Sequence, residues 1–112
     1  MLERGPELLQ EMVRCIVNTV DPEKVVLFGS LAGEGAGSDS DVDLMVVEAD
    51  DFDRLRPRRK ELFKISQALR SFAFPIDILL YSHSEVESWK NVSSHIIHKA
   101  LAGGRVLHEK PK

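Results

Sequence analysis

Cysteine is nearly missing from this chain: Cys15 stands alone in 112 residues, which excludes an internal disulfide. Its apolar neighbours read as the setting of an inert thiol rather than a nucleophile. Long hydrophobic runs are missing too. No stretch approaches the ~18 apolar residues of a membrane span, and the start carries no secretory pattern. A cytoplasmic protein without membrane contact is therefore expected. Positive charge is not in excess, since Lys and Arg number 15 against 18 Asp and Glu, a net −3. Without a general basic field, direct nucleic-acid binding is not expected. Internal repeats and low-complexity segments are absent from the sequence.

What remains is a globular composition, 43% hydrophobic and 29% charged, sized for one domain over residues 1–112 with little room for a second lobe. Leu8, Leu9, Met12, Val13, Ile16 and Val20 recur at helical steps. Pro6 suits the first turn of that helix, and Asp21-Pro22 ends it. Lys24–Phe28 is a β-branched run typical of a buried strand, broken at Gly29-Ser30. Residues 31–40, rich in Gly, Ala and Ser, read as a connection, with a helical turn near Ser30–Gly33. Asp41–Val47 forms the second strand, apolar enough to be covered on both faces. A helix begins near Pro57 with Leu62, Ile65, Leu69 and Phe72 as its stripe, and Pro75–Tyr81 is the third strand. Ser82 and Ser84 each stand three residues before a glutamate, so a short capped helix is expected. Ile96, Ile97, Ala100 and Leu101 mark a last helix, for which Gly103-Gly104 would be a left-handed cap. Val106-Leu107 adds a terminal strand. The expected class is α/β (α+β), a small mixed β-sheet flanked by helices.

Three carboxylates are placed where strands should be. Asp41 and Asp43 project from one face of a strand, about 6.6 Å apart. Two acids that close repel each other in any partly buried setting unless a cation sits between them. Asp77 lies inside Ile76–Leu80, where an unpartnered buried charge would cost several kcal/mol. If its strand lies beside that of Asp41, three hard oxygen donors converge, a set suited to magnesium. Asp39, Asp41 and Asp43 also have the 1-3-5 spacing of an EF-hand loop, with Asp50 at position 12. Leu44, however, occupies the place where that loop turns on glycine. Gly29-Ser30 after a strand offers backbone amides and a hydroxyl to a phosphate.

Taken together, Gly29-Ser30, a linker, then Ser38-Asp39-Ser40-Asp41-Val42-Asp43-Leu44 and a third acid at Asp77 resemble the signature of the DNA polymerase beta-like nucleotidyltransferase superfamily. The chain is most similar to its minimal branch, the MNT proteins. The resemblance implies transfer of a nucleoside monophosphate, AMP above all, from ATP or another nucleoside triphosphate to a hydroxyl, with two Mg2+ ions. By the same resemblance, Asp41 and Asp43 would bridge both metals, and Asp77 would hold the catalytic one and help deprotonate the acceptor. Gly29 and Ser30 would grip the β- and γ-phosphates, with Ser40 also on the nucleotide side. Minimal members resemble the antitoxin half of toxin–antitoxin pairs whose partner is a HEPN-domain ribonuclease, so a HEPN-domain partner is implied. The alternative is a non-catalytic module of the same fold that neutralises that partner by contact. One departure bears on this choice. The family commonly carries Ala-Arg-Gly or Ala-Lys-Gly after Gly-Ser-x, whereas Ala32-Gly33-Glu34 puts an acid near the triphosphate, which weakens nucleotide binding by repulsion.

Other residues read blandly. Arg54, Arg56, Arg58, Arg59 and Lys60 form a solvated basic turn that would face a partner or phosphates only in the sharper reading. His95 and His98, three apart, read as surface residues because no third ligand accompanies them. His83 and His108 carry no signal, and Trp89 reads as an apolar anchor.

Overall fold

The computed structural model describes residues 6–29, 42–73 and 75–111. Helix α1 (Pro6–Val20) leads into β1 (Lys24–Phe28), and β2 (Val42–Glu48) follows. Next come α2 (Arg58–Ala68), β3 (Ile76–Ser82), α3 (His83–Trp89), α4 (Ile96–Gly103) and β4 (Arg105–Glu109). The four strands form one sheet in the order β3-β2-β1-β4. β1 is antiparallel to β2 and β4, and β2 is parallel to β3. The sheet is therefore mixed and flanked by helices, the class expected from the sequence.

Side chains alternate across a strand, and the two faces have separate cores. Leu9, Met12 and Ile16 of α1 and Ile65 of α2 pack on Val25, Leu27, Val42, Leu44, Val46 and Leu80. On the other face, Val86 of α3 and Ile97 and Ala100 of α4 cover Val26, Met45 and Val47. With cover on both sides, residues 44–47 are all buried, which explains an apolar run without alternation.

Local chemistry sets the ends of the elements. Asp21 adopts a positive φ of 48° at the exit of α1, and Lys110 reaches it at 2.7 Å. Of the two capping serines, Ser82 is the one used at the start of α3. Its side chain accepts from the Glu85 N–H, and the Glu85 carboxylate accepts from the Ser82 N–H at 2.9 Å. The expected left-handed glycine cap of α4 is not formed, because Gly104 is extended at φ −93° and ψ 172°. Glycine is needed there for closeness. A Cβ on Gly104 would stand 2.9 Å from the Leu27 carbonyl oxygen and 2.7 Å from a Val26 methyl, so α4 hands the chain to β4 in contact with β1.

The basic cluster is not a uniformly solvated turn. Arg56 donates to Glu48 at 2.7 Å and to the Asp50 and Asp51 carbonyls. Arg58 pairs with Glu85 at 2.6 Å and donates to the Leu80 carbonyl at 2.8 Å. Both guanidinium groups lie over Phe52, 4.9 and 4.8 Å from its centroid. Two arginines thus fasten the β2–α2 connection and the C-terminal end of β3.

Beneath Arg56 lies an unanticipated carboxyl pair, Glu48 and Glu61, both 5% exposed. Burial pushes the Glu48 carboxyl up from 4.5 to about 7, reinforced by Glu61 and opposed by Arg56. Burial alone would raise Glu61 as well, but Lys64, Glu48 and Arg56 hold it below the usual range. Glu48 Oε2 has no donor facing it among the described residues. Below about pH 7 a proton on this carboxyl lets it donate to Glu61, and the pair then carries one charge rather than two. Because the folded value of Glu48 is raised, its favourable contribution is complete below about pH 4.5. That contribution fades as pH climbs through about 7. Replacing Glu48 by Gln supplies a permanent donor of the same shape. Urea denaturation should find E48Q more stable than wild type by on the order of 2 kcal/mol at pH 8 and nearly equal to it at about pH 4. Parallel pH profiles for the two proteins would show that no proton is shared.

Candidate functional site

The site lies at the end of the sheet opposite the Glu48 pair. Register decides it: Phe28 of β1 faces Asp43 of β2, and Asp43 faces Asp77 of β3. Residues paired in this way share a face, so Phe28, Asp43 and Asp77 form one row on the side that carries α3 and α4. Strands lie about 4.8 Å apart, which places the two carboxylates side by side. Asp43 is half-buried and Asp77 exposed. The sequence argument from burial therefore does not hold for Asp77, whose apolar neighbours Ile76 and Ile78 face the other way, toward α2. What brings Asp77 to Asp43 is the parallel pairing of β2 and β3.

Gly29 closes the row on the β1 side. Its φ is +75°, a backbone region that L side chains rarely adopt. A Cβ there would overlap the Asp43 Oδ2 oxygen and lie 3.1 Å from its Cγ. The space a side chain would fill is taken by the Asp43 carboxylate, so the turn after β1 and the acid on β2 are built against each other.

Like charges directly opposite on a sheet are destabilising. Two acids held in register on an accessible face have the character of a cation site, and hard oxygen donors with open positions suit magnesium. Among the described residues no three potential ligands group together. Asp43 and Asp77 supply two oxygen donors, while Asp41, Ser30 and Ser40 lie outside the described residues, as does the turn expected near Ser30–Gly33.

The histidines are structural, beyond the bland surface role. The His95 side chain accepts from the Ile97 N–H at 3.0 Å and caps α4, and its ring stacks on Trp89 at 4.4 Å. His98 Nδ1 meets the Lys90 carbonyl at 2.8 Å. Trp89, expected as an apolar anchor, belongs to neither core and is 44% exposed, with its ring against His95. Sequence reasoning missed Phe28 as a neighbour of the acids, yet it directly precedes Gly29 at the end of β1. No described helix is long and apolar enough to cross a membrane.

Comparison with solved structures supports this architecture. A candidate nucleotidyltransferase of Sulfolobus solfataricus superimposes with a TM-score of 0.63 at 16% identity, over 93% of this chain and 79% of that one. A chain of a toxin–antitoxin complex with AMP-PNP matches with a TM-score of 0.55 at 19% identity, over 90% and 73%. A chain from the tri-AMPylated HEPN toxin of Shewanella oneidensis in complex with MNT antitoxin matches with 0.52 at 19% identity, over 93% and 73%. At such identities the likeness concerns the fold. No curated protein sequence matches the chain. Residues 10–112 match the model of the family described as polymerase beta, nucleotidyltransferase, and with the paired acids at the mouth of a mixed sheet the chain belongs to that nucleotidyltransferase family.

Proposed function

We propose that this chain transfers a nucleoside monophosphate, AMP from ATP, to a hydroxyl acceptor, and that it is the antitoxin of a HEPN/MNT pair. The alignment of Asp43 and Asp77 across parallel strands carries this reading, because nothing in the packing of the sheet requires two acids to stand in register there. Gly29, whose missing side chain makes room for Asp43, supports it. In the proposed site Asp41, Asp43 and Asp77 would hold the Mg2+ ions through their carboxylate oxygens. Gly29, Ser30 and Ser40 orient the triphosphate through backbone amides and hydroxyls. When bound, the ions would supply charge neutralisation at the attacking and leaving oxygens. Asp77 takes the acceptor's proton as its oxygen forms a bond to the α-phosphorus. The bond from that phosphorus to the β-bridging oxygen breaks, and pyrophosphate leaves.

The partner reading is supported by the fold shared with chains of toxin–antitoxin complexes. A protein hydroxyl on a HEPN partner is the acceptor we favour. Gly33, standing where the family commonly has a cation, and the acid Glu34 after it favour the alternative in which the fold neutralises its partner by contact alone. Isothermal titration with ATP and magnesium separates the two. Wild type should bind, and the Asp41→Asn and Asp43→Asn variants should not. Wild type as silent as both variants would leave only the contact mechanism.

A further inference from the structure

The acceptor must reach Asp77, and among the described residues the free edge of the sheet beside it offers an approach. β3 is the last strand of the sheet, paired on one side with β2. The Val42 N–H donates to the Pro75 carbonyl at 3.1 Å, which fixes the ladder: in a parallel pair the residue at 42 bonds those at 75 and 77. Residues 77, 79 and 81 therefore spend their backbone groups on β2, while Ile76, Ile78 and Leu80 present theirs outward. Arg58 takes the Leu80 carbonyl. Among the described residues, no backbone or side-chain hydrogen bond takes the outward groups of Ile76 and Ile78. Half of this edge is closed and half is open, and the open half is centred on Asp77.

Beside the open half, on the face opposite to Asp77, is a depression of about 210 Å³ lined by Ser66, Leu69, Arg70, Phe72, Ile76 and Ile78. We propose that the N-terminal half of β3 and this depression bind the acceptor as an added strand, an extended polypeptide segment in which a hydroxyl residue stands between two apolar ones. The reasoning is that of alternation. The added residue facing Asp77 points its side chain to the same side as Asp77, which delivers a tyrosine, serine or threonine oxygen to the acid that receives its proton. Its two neighbours point to the opposite side, where Leu69, Phe72, Ile76 and Ile78 offer apolar surface. Arg70 at the rim favours an acidic residue further along the segment. A nucleic acid would gain nothing from this edge, because it has no amide ladder to pair with Ile76 and Ile78.

This inference rests on the nucleotidyltransferase reading of the same site, and the test keeps the two apart. The probe is a nine-residue peptide with Leu-Tyr-Val at its centre and one acidic end, compared with a copy carrying Asp-Tyr-Asp. Hydrogen exchange followed by NMR should show the Ile76 and Ile78 amides slowed at least tenfold by the first peptide and unaffected by the second. With labelled ATP and magnesium, the first peptide should receive the nucleotide. Ser66→Trp fills the depression without touching the carboxylates or the ladder, and Ile78→Pro removes one outward N–H. Both should retain nucleotide binding by titration and lose at least tenfold in transfer to the peptide, through KM rather than kcat. Equal transfer by wild type and both variants overturns the proposal, as does equal labelling of the two peptides. A concentration-dependent dimer that Ile78→Pro abolishes would assign the edge to a second copy of this chain and overturn it as well. Absence of nucleotide binding in wild type, seen in the titration before any peptide is added, would remove the reading beneath it and the inference with it.

Discussion

Asp77→Asn should lower nucleotide transfer by about 10³-fold, some 4 kcal/mol of transition-state stabilisation, while leaving the fold intact. The side chain is exposed and lies on the edge strand, so neutralising it disturbs no core. In the absence of metal the variant should gain about a few tenths of a kcal/mol, because one of two like charges in register is gone. That sign separates a charge held for chemistry from one held for stability, since a structural aspartate would cost stability when removed. Ligand binding reverses the order. With magnesium and ATP a hundredfold above Kd, wild type should be stabilised by about 2.7 kcal/mol, moving its melting temperature by roughly 10 °C. Thermal denaturation with and without magnesium and ATP reads both effects at once. A variant that transfers within tenfold of wild type, or that melts with the same ligand-induced shift, would take Asp77 out of the reaction.

How much of this was legible in the sequence depends on the range of the forces involved. Periodicity and turn chemistry are local, and they placed the first three strands within a residue, the middle of β4, the capping box at Ser82 and the stripe of α2. Residue pairs far apart in the chain were harder. That Asp43 faces Asp77 depends on β3 lying parallel to β2 in a single register, and a slip of one residue would have sent Asp77 to the α2 side. The motif linking Gly29 to Asp43 anticipated that the two belong together. It did not show that they touch, which is a consequence of a left-handed turn after β1. The Glu48–Glu61 pair was invisible for a related reason. Glu48 follows an apolar strand and Glu61 sits in a charged stretch, so each alone looked like an end or a surface position. Only the approach of α2 to the C-terminal end of β2, bridged by Arg56, buries them together. For Gly104 the local rule pointed to glycine correctly but for the wrong reason: contact with β1, rather than a positive φ, requires it.

Gly29→Ala should damage activity beyond its cost in stability. Two costs add at this position. An alanine at φ +75° pays a backbone penalty of about 1 kcal/mol. Its Cβ also occupies the space of the Asp43 carboxylate, so either the turn or the acid must move. A stability loss of about 1–3 kcal/mol is expected, but catalysis should suffer beyond it. Displacing a positioned group by about 1 Å costs on the order of 10²-fold in rate, and here the displaced group is an acid assigned to both metals. Gly103→Ala is the matched control, for nothing lies within 4 Å of the Cβ it would add, and no positive φ holds it. That variant should be as active as wild type and more stable by up to about 1 kcal/mol. Urea denaturation alongside single-turnover kinetics distinguishes the two glycines. An active Gly29→Ala protein would mean that the Asp43 carboxylate can leave its place beside the turn without consequence, and the site would then have to be built without that contact.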